Sequence, residues 1–322
     1  MNGYKKTEDT IWVGRKSNQN LYMHEKVTCI DLKNEELKVD FSKKIAVLGY
    51  ACDEGVKRNH GRTGAVKGPD NVRKMLGKLP NHLSDNTIFL DSGTIECLNG
   101  AMENTQAQLI ETVAQLLQKN IFPIVLGGGH DMAYGHYNGI KKYLNSKEEN
   151  KSIGIINFDA HFDLRSNEDG NNSGTPFYQI SQDCKEADSH FNYLCLGIRE
   201  DANTSVLFDT AKKFGVSYIE RGRFNTHYLS SIAKEIRDFI TSVDYIYVTI
   251  DLDGFSSAYA PGVSAASPMG FAPDIVLESL KLIIDSKKII SLDIAEMNPS
   301  YDIDNQTAKL AASLVHFVMH KL

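Results

Sequence analysis

Eight short apolar runs divide this chain: KKIAVLGYA (43–51), TIFLDSG (87–93), IFPIVLGG (121–128), SIGIINFDAH (152–161), NYLCLGI (192–198), VSYI (216–219), DYIYVTIDLD (244–253) and KIISLDIAE (288–296). They are continuous rather than alternating, which fits strands buried on both faces of a parallel sheet. Between them, apolar residues recur at helical spacing. In ENTQAQLIETVAQLLQK (103–119), Leu109, Ile110, Val113, Leu116 and Leu117 share one stripe, and NQTAKLAASLVHFVMHK (305–321) aligns Leu310, Leu314, Phe317 and Val318. Strand, helix, strand throughout predicts an α/β fold around a doubly wound, mainly parallel sheet.

The polar stretches NSKEENKS (145–152) and RSNEDGNNSG (165–174) read as surface loops, because strands of the same type continue beyond each. One domain over residues 43–322 is expected, with residues 1–42 as an N-terminal extension packing on it. With 322 residues and 42% hydrophobic content, such a domain can bury a large core.

Composition narrows the partners. Lys plus Arg number 35 against 41 Asp plus Glu, so no basic footprint suggests nucleic acid or an anionic membrane. The five cysteines (Cys29, Cys52, Cys97, Cys184, Cys195) are never spaced as CxxC, which speaks against a disulfide framework and a zinc–thiolate site. No run is apolar over a bilayer's thickness and the start lacks a signal-peptide core, so a cytoplasmic protein is expected.

In doubly wound sheets ligands bind at the carboxyl ends of the strands. Four of those ends carry unusual chemistry: His130 after three glycines in IVLGGGH, Asp159, His161 and Asp163 in NFDAHFD, Asp251 and Asp253 in VTIDLD, and Asp293 and Glu296 in SLDIAEMNP. Uncompensated carboxylates at the edge of a packed core cost several kcal/mol or take up protons. Divalent cations offset them, and a set of imidazoles and carboxylates suits Mn, Zn, Fe or Co. His130 with the residues of DxHxD and DxD makes six such ligands, more than one tetrahedral site needs, which points to two metals. In DxHxD and DxD, a period of two brings alternate side chains to one side of an extended segment. Metal pairs lower the pKa of a bound water, so the implied chemistry is hydrolysis.

Each motif alone has an ordinary reading, a packed or capping histidine for GGGH and a turn for DxD; their joint appearance at separate strand ends favours metal. The glycines of GGGH could instead cradle a phosphate. GxGxxG after a strand, GxxxxGK[ST] and GxSxG are all absent.

Taken together, GRTGAVKGPDNVR (61–73), GGGHD (127–131), NFDAHFD (157–163), DLDGFSSAYAPGVSAASPMG (251–270) and DIAEMNP (293–299) resemble the ureohydrolases, the arginase, agmatinase and formimidoylglutamase family, in that family's order. The resemblance implies a three-layer α/β/α domain with a mainly parallel, doubly wound eight-stranded sheet, two Mn2+ ions per subunit and a homo-oligomer. It implies that His130 and Asp163 complete one metal site and His161 and Asp253 the other, with Asp159 and Asp251 bridging. Asp163 would also act on the attacking water, and Glu296 would pair with the amidinium or guanidinium of the substrate.

Within the family, GGGH in place of the GGDHS of arginases and agmatinases, Arg165 in DAHFDLR, and SGTPF (173–177) are closest to the formimidoylglutamase branch. The histidine that arginases carry after DAHxD as a proton shuttle is absent, and no replacement is evident. The branch implies hydrolysis of N-formimidoyl-L-glutamate to L-glutamate and formamide, in histidine degradation. That substrate pairs a cationic amidinium with two carboxylates, which guanidinium forks bind well. Arg165 is the first candidate for that contact, with Arg62 and Ser173 beside it and Arg58 read as an ordinary surface cation. The alternatives are an agmatinase, arginase or guanidinobutyrase releasing urea, and a non-catalytic metal- or anion-binding protein on the same scaffold.

Overall fold

Along each central strand, successive apolar side chains enter two different cores. Ile45, Val47, Ile124, Ile156, Val248 and Leu292 join one buried cluster, whereas Ala46, Leu48, Val125, Ile155, Tyr247 and Ile290 join another. Period-two geometry sends neighbouring side chains to opposite faces, so a strand that is apolar at every position must be covered twice. The first cluster is roofed by the helices Gly68–Leu76, Leu229–Thr241, Pro273–Asp285 and Gln306–Lys321. The second is roofed by Met102–Gln118, Met132–Ser146, Pro176–Glu186 and Ser205–Lys213. The result is the three-layer α/β/α sandwich that the resemblance implies.

The computed structural model describes residues 3–34, 43–148 and 151–322. Its strands are β1 (Tyr4–Lys5), β2 (Val27–Cys29), β3 (Lys43–Ala51), β4 (Thr87–Glu96), β5 (Ile121–Leu126), β6 (Ile153–Phe158), β7 (Asn192–Ile198), β8 (Ser217–Glu220), β9 (Tyr245–Asp251) and β10 (Ile289–Ala295). The order is β1-β4-β3-β5-β10-β9-β6-β7-β8, with β2 also paired to β4. All pairings are parallel except that of β1. The eight apolar runs are β3 to β10.

Among the described residues the sheet has ten strands rather than the expected eight. The two additions come from the N-terminal segment and pair with the outer edge of β4, Val27–Cys29 against Phe89–Asp91 and Tyr4–Lys5 against Ile95 and Thr94. Two- and three-residue strands are too short to show a period. A buried ion pair ties this edge down. Arg73, fully buried, donates to Asp91 from Nε at 2.8 Å and Nη2 at 3.0 Å, while Trp12 Nε1 and Thr7 Oγ1 of the N-terminal segment donate to the same carboxylate.

No described helix is long and apolar enough to cross a membrane. The arrangement of the centre matters most for function. β5, β10, β9 and β6 are adjacent and parallel, so the chain segments that follow them, GGGH, DIAE, DLD and DAHFD, emerge at one edge side by side.

Candidate metal centre

The glycine run brings His130 in. A side-chain carbon on Gly128 would lie 1.9 Å from the Cys52 carbonyl oxygen, so only glycine lets the loop after β5 pass this close to the end of β3. Gly129 N–H donates to that carbonyl at 2.8 Å, Gly127 N–H to Ile294 O at 2.8 Å, and His130 N–H to Glu296 Oε1 at 3.0 Å. These amides are spent inside the protein, which argues against the loop as a phosphate cradle.

The two acidic motifs share one local device. Asp159 Oδ1 accepts from His161 N–H at 2.7 Å, and Asp251 Oδ1 accepts from Asp253 N–H at 2.8 Å. Each first aspartate thus bends the chain as it leaves its strand. The expected extended alternation is not what aligns the ligands. Asp163, further along, has φ +49°, a left-handed conformation that Asp tolerates better than most residues.

Two sets of ligand atoms result, each with all atoms within 4.8 Å of one another: His130, Asp159, Asp163 and Asp251, and Asp159, His161 and Asp253. Asp159 belongs to both, while Asp251, expected as a second bridge, falls with the first set. His130 Nδ1 lies 2.9 Å from Asp163 Oδ2, 3.1 Å from Asp251 Oδ2 and 3.3 Å from Asp159 Oδ2. His161 Nδ1 lies 3.3 Å from Asp253 Oδ1 and 3.4 Å from Asp159 Oδ1.

The electrostatics of these residues call for cations. Burial would lower both imidazoles, but the carboxylates Asp159, Asp163 and Asp251 hold His130 well above its ordinary pKa, and Asp253 and Asp159 do the same for His161. Burial, with Asp251 beside it, pushes Asp253 up to about 8; burial and Asp159 raise Asp163 to about 6. Cations among these side chains, protons or metal ions, are what allow so many carboxylates to be buried together. His130 Nδ1 and Asp253 Oδ1 are buried yet make no hydrogen bond, and all the donors are nitrogen or carboxylate oxygen. Divalent ions replacing those protons fit both facts.

Glu296 follows β10 with φ +68°, strained for a non-glycine residue. Its Oε1 is held by His130 N–H, while Oε2 is buried and makes no hydrogen bond. Burial, then Asp251 and Asp253, raise its pKa well above normal.

A cavity of about 290 Å³ opens above the ligands, walled by Glu296, Arg62, Arg165, Ser173, His60 and Asn59 among others. The arginines differ. Arg62 is committed, donating from Nε to Ser264 O at 2.9 Å and from Nη2 to Val263 O at 2.7 Å, with its guanidinium 3.9 Å above the Tyr301 ring. Arg165 is exposed, and no described residue hydrogen-bonds its guanidinium. Ser173 Oγ accepts from Asn59 Nδ2 at 3.1 Å. Arg58 is away from this wall, paired with Glu103 at 2.6 Å and Glu54 at 3.3 Å.

Asp293, named above with the strand-end carboxylates, lies elsewhere, and Asn157, Asn203 and Thr249, which the sequence did not single out, support the site. Asp293 does not join the ligands: it pairs in register with Thr249, two residues short of the end of β10, and bonds His136 and Tyr247. Asn157 donates to Asp159 Oδ2 at 2.9 Å, and Asn203 accepts from Phe162 N–H at 3.0 Å, bracing the DAHFD loop. Thr249 Oγ1 lies 2.9 Å from His130 Nε2. Thr249 had a signal, since it stands two residues before Asp251 on the same strand face; Asn203, brought in from a distant loop, had none.

The arginase family model matches residues 43–320. The chain belongs to the arginase family. A formimidoylglutamase of Clostridium tetani is 40% identical over 323 residues, 98% of this chain and 95% of that protein. The crystal structure of formimidoylglutamase from Bacillus subtilis superposes with a TM-score of 0.79 at 23% identity, covering 96% of this chain and 94% of that one. A crystal structure of Trypanosoma cruzi formiminoglutamase with Mn2+ gives 0.75 at 21% identity, covering 87% and 93%. In this arginase-family chain, the residues singled out by resemblance are the ones that meet beneath the cavity.

Proposed function

We propose that the protein is a formimidoylglutamase, hydrolysing N-formimidoyl-L-glutamate to L-glutamate and formamide with two Mn2+ ions per subunit. The observation that carries this reading is the pair of ligand sets joined by Asp159 under a cavity whose rim holds the unpaired Arg165. Relatives named formimidoylglutamase, alike over nearly the full chain, support it. Residues 43–322 are the catalytic domain in this reading, with the N-terminal segment as its edge.

His130, Asp159, Asp163 and Asp251 would hold one ion and Asp159, His161 and Asp253 the other. The ions supply Lewis acidity, making water a nucleophile near neutral pH. The chain's own residues do the rest. Glu296 Oε2 accepts a hydrogen bond from the amidinium and turns the formimidoyl carbon toward the metal ligands. Arg165 at the rim takes the substrate's far carboxylates as a fork. Asp163 Oδ2 takes a proton from the attacking water and returns it to the leaving nitrogen, whose departure as an amine requires it.

The test is an assay of purified protein with Mn2+ added or chelated, reading formamide and urea against formimidoylglutamate, arginine, agmatine and guanidinobutyrate. Formamide from formimidoylglutamate alone is expected. Urea from any of the other three would sink the substrate assignment, and metal binding with no turnover would point to the non-catalytic alternative.

A further inference from the structure

At the same edge of the sheet as the metal centre, where the parallel strands β7 and β8 end, a second cavity of about 550 Å³ opens. Arg199, Arg221 and Gly222 line it together with three acids, and it shares no lining residue with the cavity above the metal ligands. A side-chain carbon on Gly222 would meet nothing within 4 Å, so the space next to Arg221 is open.

The two arginines stand in different states. Arg199 donates from Nε at 2.9 Å and from Nη2 at 2.8 Å to the Asp201 carboxylate, which leaves its Nη1 unspent. Arg221 is pinned beside it, its backbone N–H donating to Ile198 O at 2.8 Å. The Arg221 guanidinium is half-buried, its Nε makes no hydrogen bond, and no described carboxylate pairs with it. Burial, and then the charge of Arg199, draw its pKa below the ordinary arginine value. This cation has therefore lost hydration and faces a like charge, with nothing to offset either cost. Glu200 and Glu220, the other acids of the wall, bond neither arginine. Both are exposed, so solvent and salt screen them over a Debye length of about 8 Å, whereas the guanidinium is screened less.

We propose that this cavity is a second ligand site, which takes a small oxyanion, phosphate or carboxylate, on the free Arg221 guanidinium and Arg199 Nη1 and steadies the metal-binding loop. A guanidinium presents its donors as a flat fork that matches two oxygens of such a group. The link to the loop is direct. Arg199 N–H donates to Ala160 O at 3.0 Å, and Arg199 O accepts from Asn203 Nδ2 at 2.8 Å. Asn203 also donates to Ala160 O at 2.8 Å and accepts from Phe162 N–H at 3.0 Å. The segment that carries Asp159, His161 and Asp163 thus rests on the backbone of the residue that would share the anion. The site stands apart from the substrate assigned above and does not depend on it.

The experiment is calorimetric titration of the full-length protein, with Mn2+ present and again after chelation, using inorganic phosphate and glutarate as separate probes. One anion per chain is expected with or without Mn2+, and the probe that binds more tightly tells phosphate from carboxylate. Arg221→Gln weakens binding by roughly tenfold or more, Arg221→Lys falls between, and Arg165→Ala binds as the parent does. In phosphate-free buffer Arg221→Gln melts no lower than the parent, because it deletes an uncompensated charge; a purely structural Arg221 would make it melt lower. Phosphate or glutarate, whichever binds, slows amide exchange over residues 160–163 in the parent and not in Arg221→Gln. The proposal is overturned if the parent binds neither anion or if Arg221→Gln binds as the parent does. Binding lost on chelation or in Arg165→Ala also overturns it, since the anion would then sit in the metal-centre cavity. So does a change of assembly state on gel filtration of Arg221→Gln with no anion bound by the parent, which would make the groove a contact between copies. Exchange over 160–163 that ignores the bound anion would refute the link to the loop.

Discussion

The carboxylate of Asp159 accepts a hydrogen bond from the backbone N–H of His161 at 2.7 Å, so the first residue of the motif folds the third back beside it. Because Asp159 also faces His130 Nδ1 at 3.3 Å, it is the one residue common to both ligand sets. Removing it should cost more metal than removing a ligand of one set only. We expect Asp253→Ala to retain one Mn2+ per chain and Asp159→Ala to retain none, as read by elemental analysis after gel filtration. Both should lose more than about 100-fold in turnover, exceeding the usual effect of a residue that only supports a ligand. Equal metal content in the two variants would contradict the sharing.

The Arg73–Asp91 pair makes a stability prediction. Asp91 also accepts from Trp12, Thr7 and the Gly93 amide, so its burial is fully compensated. Removing one partner leaves the other charge buried and alone, a loss of about 3–5 kcal/mol for a pair of this kind. Arg73→Met should lower the denaturation midpoint strongly, while Trp12→Phe, which deletes a single donor, should cost about 1–3 kcal/mol. Equilibrium unfolding in urea measures both.

How much of this was legible beforehand depends on the range of the forces involved. The strands β3 to β7, β9 and β10 announce themselves because burial on both faces forces continuous apolar runs, a local pattern, whereas β8 at the sheet's edge buries only Ile219. The candidate ligands were legible because carboxylates at the ends of such runs are expensive and need an explanation. What escaped depends on distant contacts. Strands β1 and β2 pair with the edge of β4, and Thr7 and Trp12 between them bond Asp91 of that strand, contacts some eighty residues apart in sequence. The commitment of Arg62 to the carbonyls of Val263 and Ser264 joins residues about two hundred positions apart. The turn that replaces the expected extended geometry at Asp159 and Asp251 is local, but a side chain's choice between two nearby amides leaves no mark on periodicity.

The C-terminal helix should be acid-sensitive. His320 Nε2 accepts from His82 N–H at 2.9 Å, while its Nδ1 lies 2.7 Å from the His316 carbonyl oxygen. Burial, then the neighbouring His316, His82 and Lys43, lower the pKa of His320, and burial and His82 lower that of His316. A histidine whose folded pKa lies below its unfolded value resists protonation only in the fold. Its effect on stability is absent above the unfolded pKa and grows unfavourable as pH falls through it toward the folded one. Below about pH 6.5, then, the helix Gln306–Lys321 should loosen, with faster amide exchange over its last turns. His320→Gln should shrink the difference in melting temperature between pH 7 and pH 5.5. An unchanged difference would show that other groups govern the acid response.

Arg62 and Arg165 line the same cavity and should respond differently to substitution. Arg62 has two donors on backbone carbonyls and a ring beneath its guanidinium, so its alanine variant should loosen the loop at Val263–Ser264 and lower the melting temperature. Arg165 bonds to nothing described, so Arg165→Ala should melt as the parent does. If Arg165 grips the substrate's carboxylates, its loss removes charge-assisted bonds worth about 1.5–3 kcal/mol, which is roughly a 10- to 100-fold rise in KM for formimidoylglutamate. Lysine at 165 should recover only part of this, because an ammonium cannot form the two parallel bonds of a guanidinium. Steady-state kinetics with formimidoylglutamate, and with an amidine lacking carboxylates, separate the two roles. A KM penalty of equal size for both substrates would mean that Arg165 shapes the cavity without reading the carboxylates.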